Sequence, residues 1–477
     1  MKIRYGLVLA MTLGLGLVGC ASGGGGSGGG GLDAILAQGE GTGEPPRETP
    51  NTEAAEQALE AASEAEEDGD DAQARMHYQQ ALTAANAAVA EDETNPLAHR
   101  LAGLAELGLE NYEAAGRHFD RAIELRPVYE FQLVETRENA WIDLYQEATP
   151  FVQSGDYEGA VEYFENADAI YQGRPEAMIT LGQIYAQLRQ HDESVENIDA
   201  ALAFRDTEMY SVVDSATQAG WDEQMEGLPL LKAQVLADGG RFEEAVVMYE
   251  DLSAQDPANV DLKRGHAAIL MELDRQDEAF AIYDEMMNMP GLSPGDLFSI
   301  GVGFYQGSDY ALAAQAFGRA AEVSVNDRDA LEMWARSLQL GEMFAEVPPV
   351  AERWLELDPN SQNAWLILAQ SANQSGDTET TQEAVQAVEA LEASVQDLQM
   401  TRFGNGGASV TGSLINKSLD AGASVTMRFT FYDNSGSPIG TVTETVSVGD
   451  VDMAEIFQLQ FDSTEQVGGY GYQLTTG

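Results

Sequence analysis

From about residue 52 to about residue 400, apolar residues return three to four positions apart in runs of roughly a dozen, separated by Gly, Asp, Asn or Pro. That spacing predicts a succession of short amphipathic helices with tight turns between them. After about Met400 the period drops to two. In ASVTMRFTFYD, residues 423 to 433, Val425, Met427, Phe429 and Phe431 alternate with Thr and Arg, as in a strand with one buried face. Asn434 to Ser437 predict a turn. VTGSLINKS before it, and PIGTVTETVSV, IFQLQF and GYGYQL after it, predict further strands of a small antiparallel sandwich.

The helical part repeats itself. GRFEEAVVMYEDL, RQDEAFAIYDEM and GSDYALAAQAFGRA each place an Ala after a turn and an aromatic four residues on. Ala245, Ala279 and Ala313 stand 34 residues apart, as do Tyr249, Tyr283 and Phe317. This pattern resembles the tetratricopeptide repeat, in which small residues let two antiparallel helices touch and large ones fill the gaps. Units then begin at 226, 260, 294, 328 and 362, with Pro257 and Pro359 where the family ends its second helix. Earlier units are less evenly spaced. NYEAAGRHFDRAIELRP carries Ala115, Phe119, Ala122 and Pro127; GDYEGAVEYFENADAIY carries Ala160, Phe164 and Ala167; LGQIY at 181 to 185 opens another; and Ala74, Tyr78 and Ala81 mark a weaker unit near 55. About nine units result. The resemblance implies a mostly α fold, a right-handed α-α superhelical solenoid over residues 52–400, followed by the antiparallel β-sandwich over 401–477.

Three departures carry expectations of their own. Pro348 and Pro349 imply that the second helix of the unit at 328 starts late or bends. The last unit has Thr381 and Val385 in place of the Ala and the aromatic, as a terminal cap would. TEMYSVVDSATQAGWDE, with Tyr210 and Trp221, is surplus to the repeat and reads as a longer helix or packed loop.

At the other end, Lys2 and Arg4 precede 13 apolar or small residues, Gly6 to Val18, too few to span a bilayer and suited to a signal-peptide core. Leu17, Val18, Gly19 and Cys20 resemble the bacterial lipobox, which implies removal of residues 1–19 and a lipid anchor on Cys20, the chain's one cysteine. Acylation at two or more positions would anchor it stably. Residues 20–51, rich in Gly, Pro and Thr, read as a flexible tether of roughly 30 residues and about 30 Å r.m.s. reach. Ala21 after the cysteine implies sorting to the outer membrane. No other stretch is long and apolar enough to be a transmembrane helix.

Charge narrows the partners. Removing Lys2 and Arg4 from the 24 basic residues leaves 22 against 80 acidic, a net of −58, which repels nucleic acid and anionic headgroups. The carboxylates are dispersed and form no EF-hand loop, so the excess reads as a solvated surface. Chemistry is sparse. His77, His99, His118, His191 and His266 fall in different units without zinc-ligand spacing and read as surface or packing residues. Gly301, Gly303 and Gly307 follow no strand and belong to the repeat. No nucleophile elbow occurs, and neither a catalytic centre, a metal nor a cofactor is expected.

The first helices of the repeat line the concave face that binds extended peptides or partner helices. In the 34-residue register, Arg264, Phe298, Tyr305, Gln306, Arg336, Gln339, Gln370, Asn373 and Gln374 point into it. The aromatics offer anchors, the arginines pair with carboxylates and the amides bond a peptide backbone. The carboxylate clamp of chaperone-binding members is not reproduced. The tail strands resemble the FxLYD-type immunoglobulin-like domain of bacterial envelope proteins, which implies binding or spacing. Together these resemblances imply a membrane-anchored adaptor of the cell envelope, in outer-membrane assembly or secretion, whose partners are envelope proteins or extended peptides. The alternative is an auxiliary subunit of a cell-wall enzyme complex that contacts glycan through the sandwich.

Overall fold

The computed structural model describes residues 42–477, so the signal segment, Cys20 and most of the tether lie outside the described residues. The described end of the tether is not free. Glu44 N–H donates to the Leu125 carbonyl (2.7 Å), Arg47 N–H to Asn95 Oδ1 (3.1 Å), and the Asn95 amide returns a bond to the Arg47 carbonyl (2.8 Å). Arg47 also pairs with Asp92. The sequence reading carried the tether to Asn51, but this segment is docked and a helix begins at Pro50.

The residues fall into two compact bodies, one up to Ile184 with Asp199–Trp221, the other Tyr185–Ile198 with Asp222–Gly477. In the first, α1 (Pro50–Glu67) packs on α2 (Asp71–Glu91), α3 (Pro96–Gly108) on α4 (Tyr112–Leu125), and α5 (Val128–Ser154) on α6 (Tyr157–Ile170). The α1–α2 interface is nearly all alanine, with Ala55, Ala62, Ala65, Ala74, Ala81, Ala85 and Ala88 buried. α7 (Glu176–Gln187) and α8 (His191–Ala203) span the division in sequence. The surplus segment forms α9 (Glu208–Val212) and α10 (Ser215–Met225). Trp221 sits edge-on to Phe204 at 5.3 Å and is 5 % exposed, so it is a packed insertion.

In the second body the 34-residue period becomes geometry. The pairs are α11 (Leu228–Asp238) with α12 (Phe242–Gln255), α13 (Val260–Glu272) with α14 (Gln276–Met287), α15 (Pro294–Gln306) with α16 (Tyr310–Val323), α17 (Arg328–Leu340) with α18 (Val347–Leu357), and α19 (Gln362–Ser375) with α20 (Thr378–Glu389). Asn259, Ser293, Asp327 and Ser361, each 34 residues after the last, cap α13, α15, α17 and α19 by accepting from Leu262, Asp296, Ala330 and Ala364 N–H. The turn inside each pair needs one left-handed residue, supplied by Gly240, Asp274, Ser308, Glu342 and Gly376. The prolines act as expected. α18 starts late, after a short 3₁₀ turn at Phe344–Glu346, with both prolines in its first turn, where their missing N–H groups have no helical partner to lose. In α20, Val385 is exposed and only Ala384 is buried, in keeping with a terminal unit.

Six strands follow: β1 (Ala393–Arg402), β2 (Ala408–Asn416), β3 (Ser424–Tyr432), β4 (Pro438–Ser447), β5 (Ala454–Phe461) and β6 (Gly469–Thr476). They make two three-stranded antiparallel sheets, ordered β1-β2-β5 and β4-β3-β6. Val425, Met427, Phe429 and Phe431 are fully buried between them, as their alternation predicts. The sheets begin at Ala393, ahead of the boundary drawn at residue 401. β1 escaped the pattern because its alternation breaks at a register shift between Gln396 and Gln399, where Asp397 has φ +53°.

Close helix contact depends on residues without side chains. A Cβ on Gly303 of α15 would lie 2.4 Å from the Tyr283 ring of α14, and one on Gly301 2.7 Å from the Phe317 ring of α16. On Gly295, in the first turn of the same helix, the nearest approach would be Ser293 Oγ at 3.7 Å. Gly303→Ala should therefore cost about 1–3 kcal/mol in urea denaturation, while Gly295→Ala should be neutral or slightly stabilising. Equal effects would show that ring placement does not set the spacing.

Candidate interaction face and buried ionic joint

In the second body, first helices of successive pairs touch, α13 with α15 and α17 with α19. The nine residues assigned to a groove lie on this layer. Gln306, Gln370, Asn373 and Gln374 are exposed; Arg264, Phe298, Tyr305, Arg336 and Gln339 are half-buried. Two contacts tie neighbouring helices together on it: Gln339 Nε2 donates to Gln370 Oε1 at 2.9 Å, and Arg264 Nη1 to Asp296 Oδ1 at 3.3 Å. Arg264 also pairs with Asp261, and Arg336 with Glu332 at 2.7 Å. Both guanidinium groups offered for partner carboxylates are thus already matched by carboxylates of the chain. Phe298 stands edge-on to the buried Phe317 ring at 5.2 Å, so part of its surface is committed to packing. Tyr305 meets Tyr310 at 5.4 Å. At the turns inside these pairs, Gln276 and Phe280 of α14, Tyr310 of α16 and Gly341 after α17 line a cleft of about 430 Å³.

One expectation is corrected in the first body. His99 and His118 were placed in different units, yet α3 and α4 form one pair and bring His99 Nδ1 to 3.2 Å from His118 Nδ1. His99 Nε2 lies 3.1 Å from the Glu93 carbonyl, and burial lowers the pKa of both rings. The turn between the helices brings together two residues whose sequence separation gave no metal-like spacing. Among the described residues, no three His, Cys, Asp or Glu side chains are grouped to hold a metal ion, and no helix is long and apolar enough to cross a membrane.

The feature that the repeat pattern did not indicate is an ionic cluster where the strands meet the last helix pairs. Arg328, at the start of α17, is 5 % exposed and lies over the Trp354 ring at 5.5 Å. Its Nε and Nη2 donate to Asp358 Oδ2 at 3.0 and 2.8 Å, and Nη1 to Asp329 Oδ1 at 2.9 Å; Glu332 is 2.6 Å away. From β6, Tyr472 OH donates to Asp358 Oδ1 at 2.6 Å and Tyr470 OH to Asp329 Oδ1 at 3.3 Å. From β1, Arg402 Nη2 donates to Asp327 Oδ2 at 2.9 Å, and Val395 N–H to the Asn360 carbonyl at 3.1 Å. One signal was available in the sequence: the alternation in GYGYQL turns two tyrosines inward, and a buried phenol needs a polar partner.

Three carboxylates surround one buried guanidinium. Burial pushes the Asp329 carboxyl up to about 6 against the pull of Arg328, and raises Asp358 against Arg328 and Tyr472. For Glu332, burial is outweighed by Arg328 and Arg336, which hold it below its usual value. Removing the cation strands Asp358, so Arg328→Met should cost about 3–5 kcal/mol in chemical denaturation, against about 1–3 for Tyr472→Phe, which removes one donor. The Asp329 pKa is higher folded than unfolded, so its contribution favours folding as pH falls from about 6 towards 4 and is lost as pH rises through that window. Asp329→Asn should flatten that part of the stability profile; an unchanged profile would remove Asp329 as its source.

Comparison with known proteins accords with the repeat geometry. Residues 67–130, 151–211 and 230–296 match tetratricopeptide-repeat families. No curated protein matches the chain. Among solved structures, the chain is similar to the C-terminal part of a TPR repeat-containing protein from Cytophaga hutchinsonii, with 16 % identity, 52 % of this chain and 95 % of that one covered, and a TM-score of 0.40. It is also similar to a tetratricopeptide repeat protein from Parabacteroides merdae (15 % identity, 60 % and 99 % covered, TM-score 0.27). A third is YrrB, described as a TPR protein with an unusual peptide-binding site (16 %, 38 % and 93 %, TM-score 0.31). This chain carries tetratricopeptide repeats over residues 67–130, 151–211 and 230–296, ahead of a C-terminal pair of antiparallel sheets.

Proposed function

We propose that the chain is a non-enzymatic interaction scaffold of the bacterial cell envelope, held at a membrane through Cys20 and binding extended segments of partner proteins on the first-helix layer of its second body. The observation that carries the binding reading is the row of amides, exposed on α15 and α19 and half-buried at Gln339 of α17, beside the half-buried Tyr305. Side-chain amides offer both donors and acceptors to a peptide backbone, and a flanking ring offers an anchor. The anchoring reading rests on the positive, apolar and lipobox segments before Cys20. The alternating tail strands and their likeness to FxLYD-type domains support the envelope setting, with the outer membrane as the address that Ala21 implies.

Replacing Tyr305, Gln306 and Gln370 together by Ala should reduce capture of envelope proteins from crosslinked membranes by about tenfold or more, with the melting temperature nearly unchanged. Undiminished capture by a folded variant would move binding elsewhere on the chain. Anchoring is tested separately: Cys20→Ala should shift the protein from the membrane pellet to the soluble fraction or leave its signal uncleaved. Equal membrane retention of a processed mutant would refute acylation.

A further inference from the structure

The two helix layers of the second body differ in charge. The first helices α11, α13, α15, α17 and α19 carry five basic and six acidic residues; the second helices α12, α14, α16, α18 and α20 carry two basic and fourteen acidic residues. The acids at the outer positions of α12 and α14, such as Glu243, Glu250, Asp277 and Asp284, are exposed. The first-helix layer is nearly neutral in a chain whose net charge is −56. α19 has no ionisable side chain at all.

On α15, α17 and α19 the few charges are also spent internally, whereas Asp238 of α11 and Glu272 of α13 are exposed carboxylates. Arg264 lies between Asp261 and Asp296, Arg336 is paired with Glu332, and Arg328 is enclosed in the ionic joint. What α15, α17 and α19 leave for a partner is uncharged: Tyr305, the Gln339–Gln370 pair, Gln306, Asn373 and the exposed Leu366. On α15, α17 and α19 a cationic segment would find every carboxylate already matched, and would be drawn to the exposed Asp238 and Glu272 of α11 and α13 and to the acidic second helices. An anionic one would have to enter the field of the whole acidic chain without an unmatched cation to receive it.

We infer that the α15, α17 and α19 part of the first-helix layer selects extended peptide segments free of charged side chains, recognising their backbone through side-chain amides, and that acidic second helices keep polyanions and other copies of the chain away. This rests on the binding reading above and adds the chemical class of the partner segment. Its physical signature is weak dependence on salt, because neutral hydrogen bonds and ring contacts are hardly screened whereas charge pairing is.

The test is selection of a random displayed peptide library on the purified full chain, at about 50 mM and about 500 mM salt, against the Gln339→Ala/Gln370→Ala variant. Among sequences retained by the natural chain and lost by the folded variant, Lys, Arg, Asp and Glu should be depleted. Their dissociation constants should change by less than about threefold between the two salts. Variant-sensitive sequences enriched in Lys and Arg, or in Asp and Glu, with affinity falling at high salt, would overturn the inference while leaving the binding face in place. If no retained sequence depends on the two glutamines, the face itself fails and the inference fails with it. A Gln370→Lys variant supplies an independent check: it should introduce salt-dependent capture of acidic sequences absent from the natural selection.

Discussion

The second body depends on one recurring contact, an aromatic ring of a second helix set against a residue of a first helix that has no side chain. Tyr249 faces Gly265, Tyr283 faces Gly303 and Phe317 faces Gly301. Each ring fills the gap that a close helix approach leaves, and each glycine makes the approach possible. Buried alanines of the second helices, Ala245, Ala279 and Ala313, keep the other side equally tight. With these distances fixed, N-caps and left-handed turn residues recur at the same interval, and side chains on successive first helices come within hydrogen-bond reach, as Gln339 and Gln370 do.

The ionic joint does different work. A sandwich attached by a single covalent connection after α20 would be free to swing; here β1 and β6 bring their own side chains and backbone to the turns before α17 and α19. The cluster is costly, because it takes the Arg328 guanidinium and the Asp358 carboxylate out of water beside two partly exposed carboxylates, and it holds only if every member stays partnered. The two phenols satisfy Asp358 and Asp329 from the strand side, so the joint is completed only when sheet and helices meet. Such a joint favours one arrangement over others with similar apolar contact.

Charge is divided in the same body by the same repeat. Second helices meet solvent along their outer face and take up carboxylates at little cost, since solvent screens them. First helices touch one another, where like charges would lie close together, and they carry balanced pairs or amides instead. The net negative charge is therefore not spread evenly over the fold: it falls on the second helices and is nearly balanced over the first.

The helical pairs from 226 onward, the late start of α18 and the inward row Val425, Met427, Phe429 and Phe431 were legible in the sequence because periodicity in a local segment decides which face is buried. That all nine candidate residues lie on first helices was legible in the same way. What the sequence could not decide were relations between residues distant along the chain. Arg264 and Arg336 read as open cations until Asp296 and Glu332 were found beside them. His99 and His118 read as unrelated until α3 folded against α4. β1 was hidden by a bulge that breaks alternation, and the docking of Arg47 by a composition typical of flexible chain. Arg328, Asp358 and Tyr472 lie in three elements whose separate patterns say only helix, turn and strand; their assembly into one buried cluster is a property of the tertiary fold, because long-range charge pairing leaves no period in the sequence.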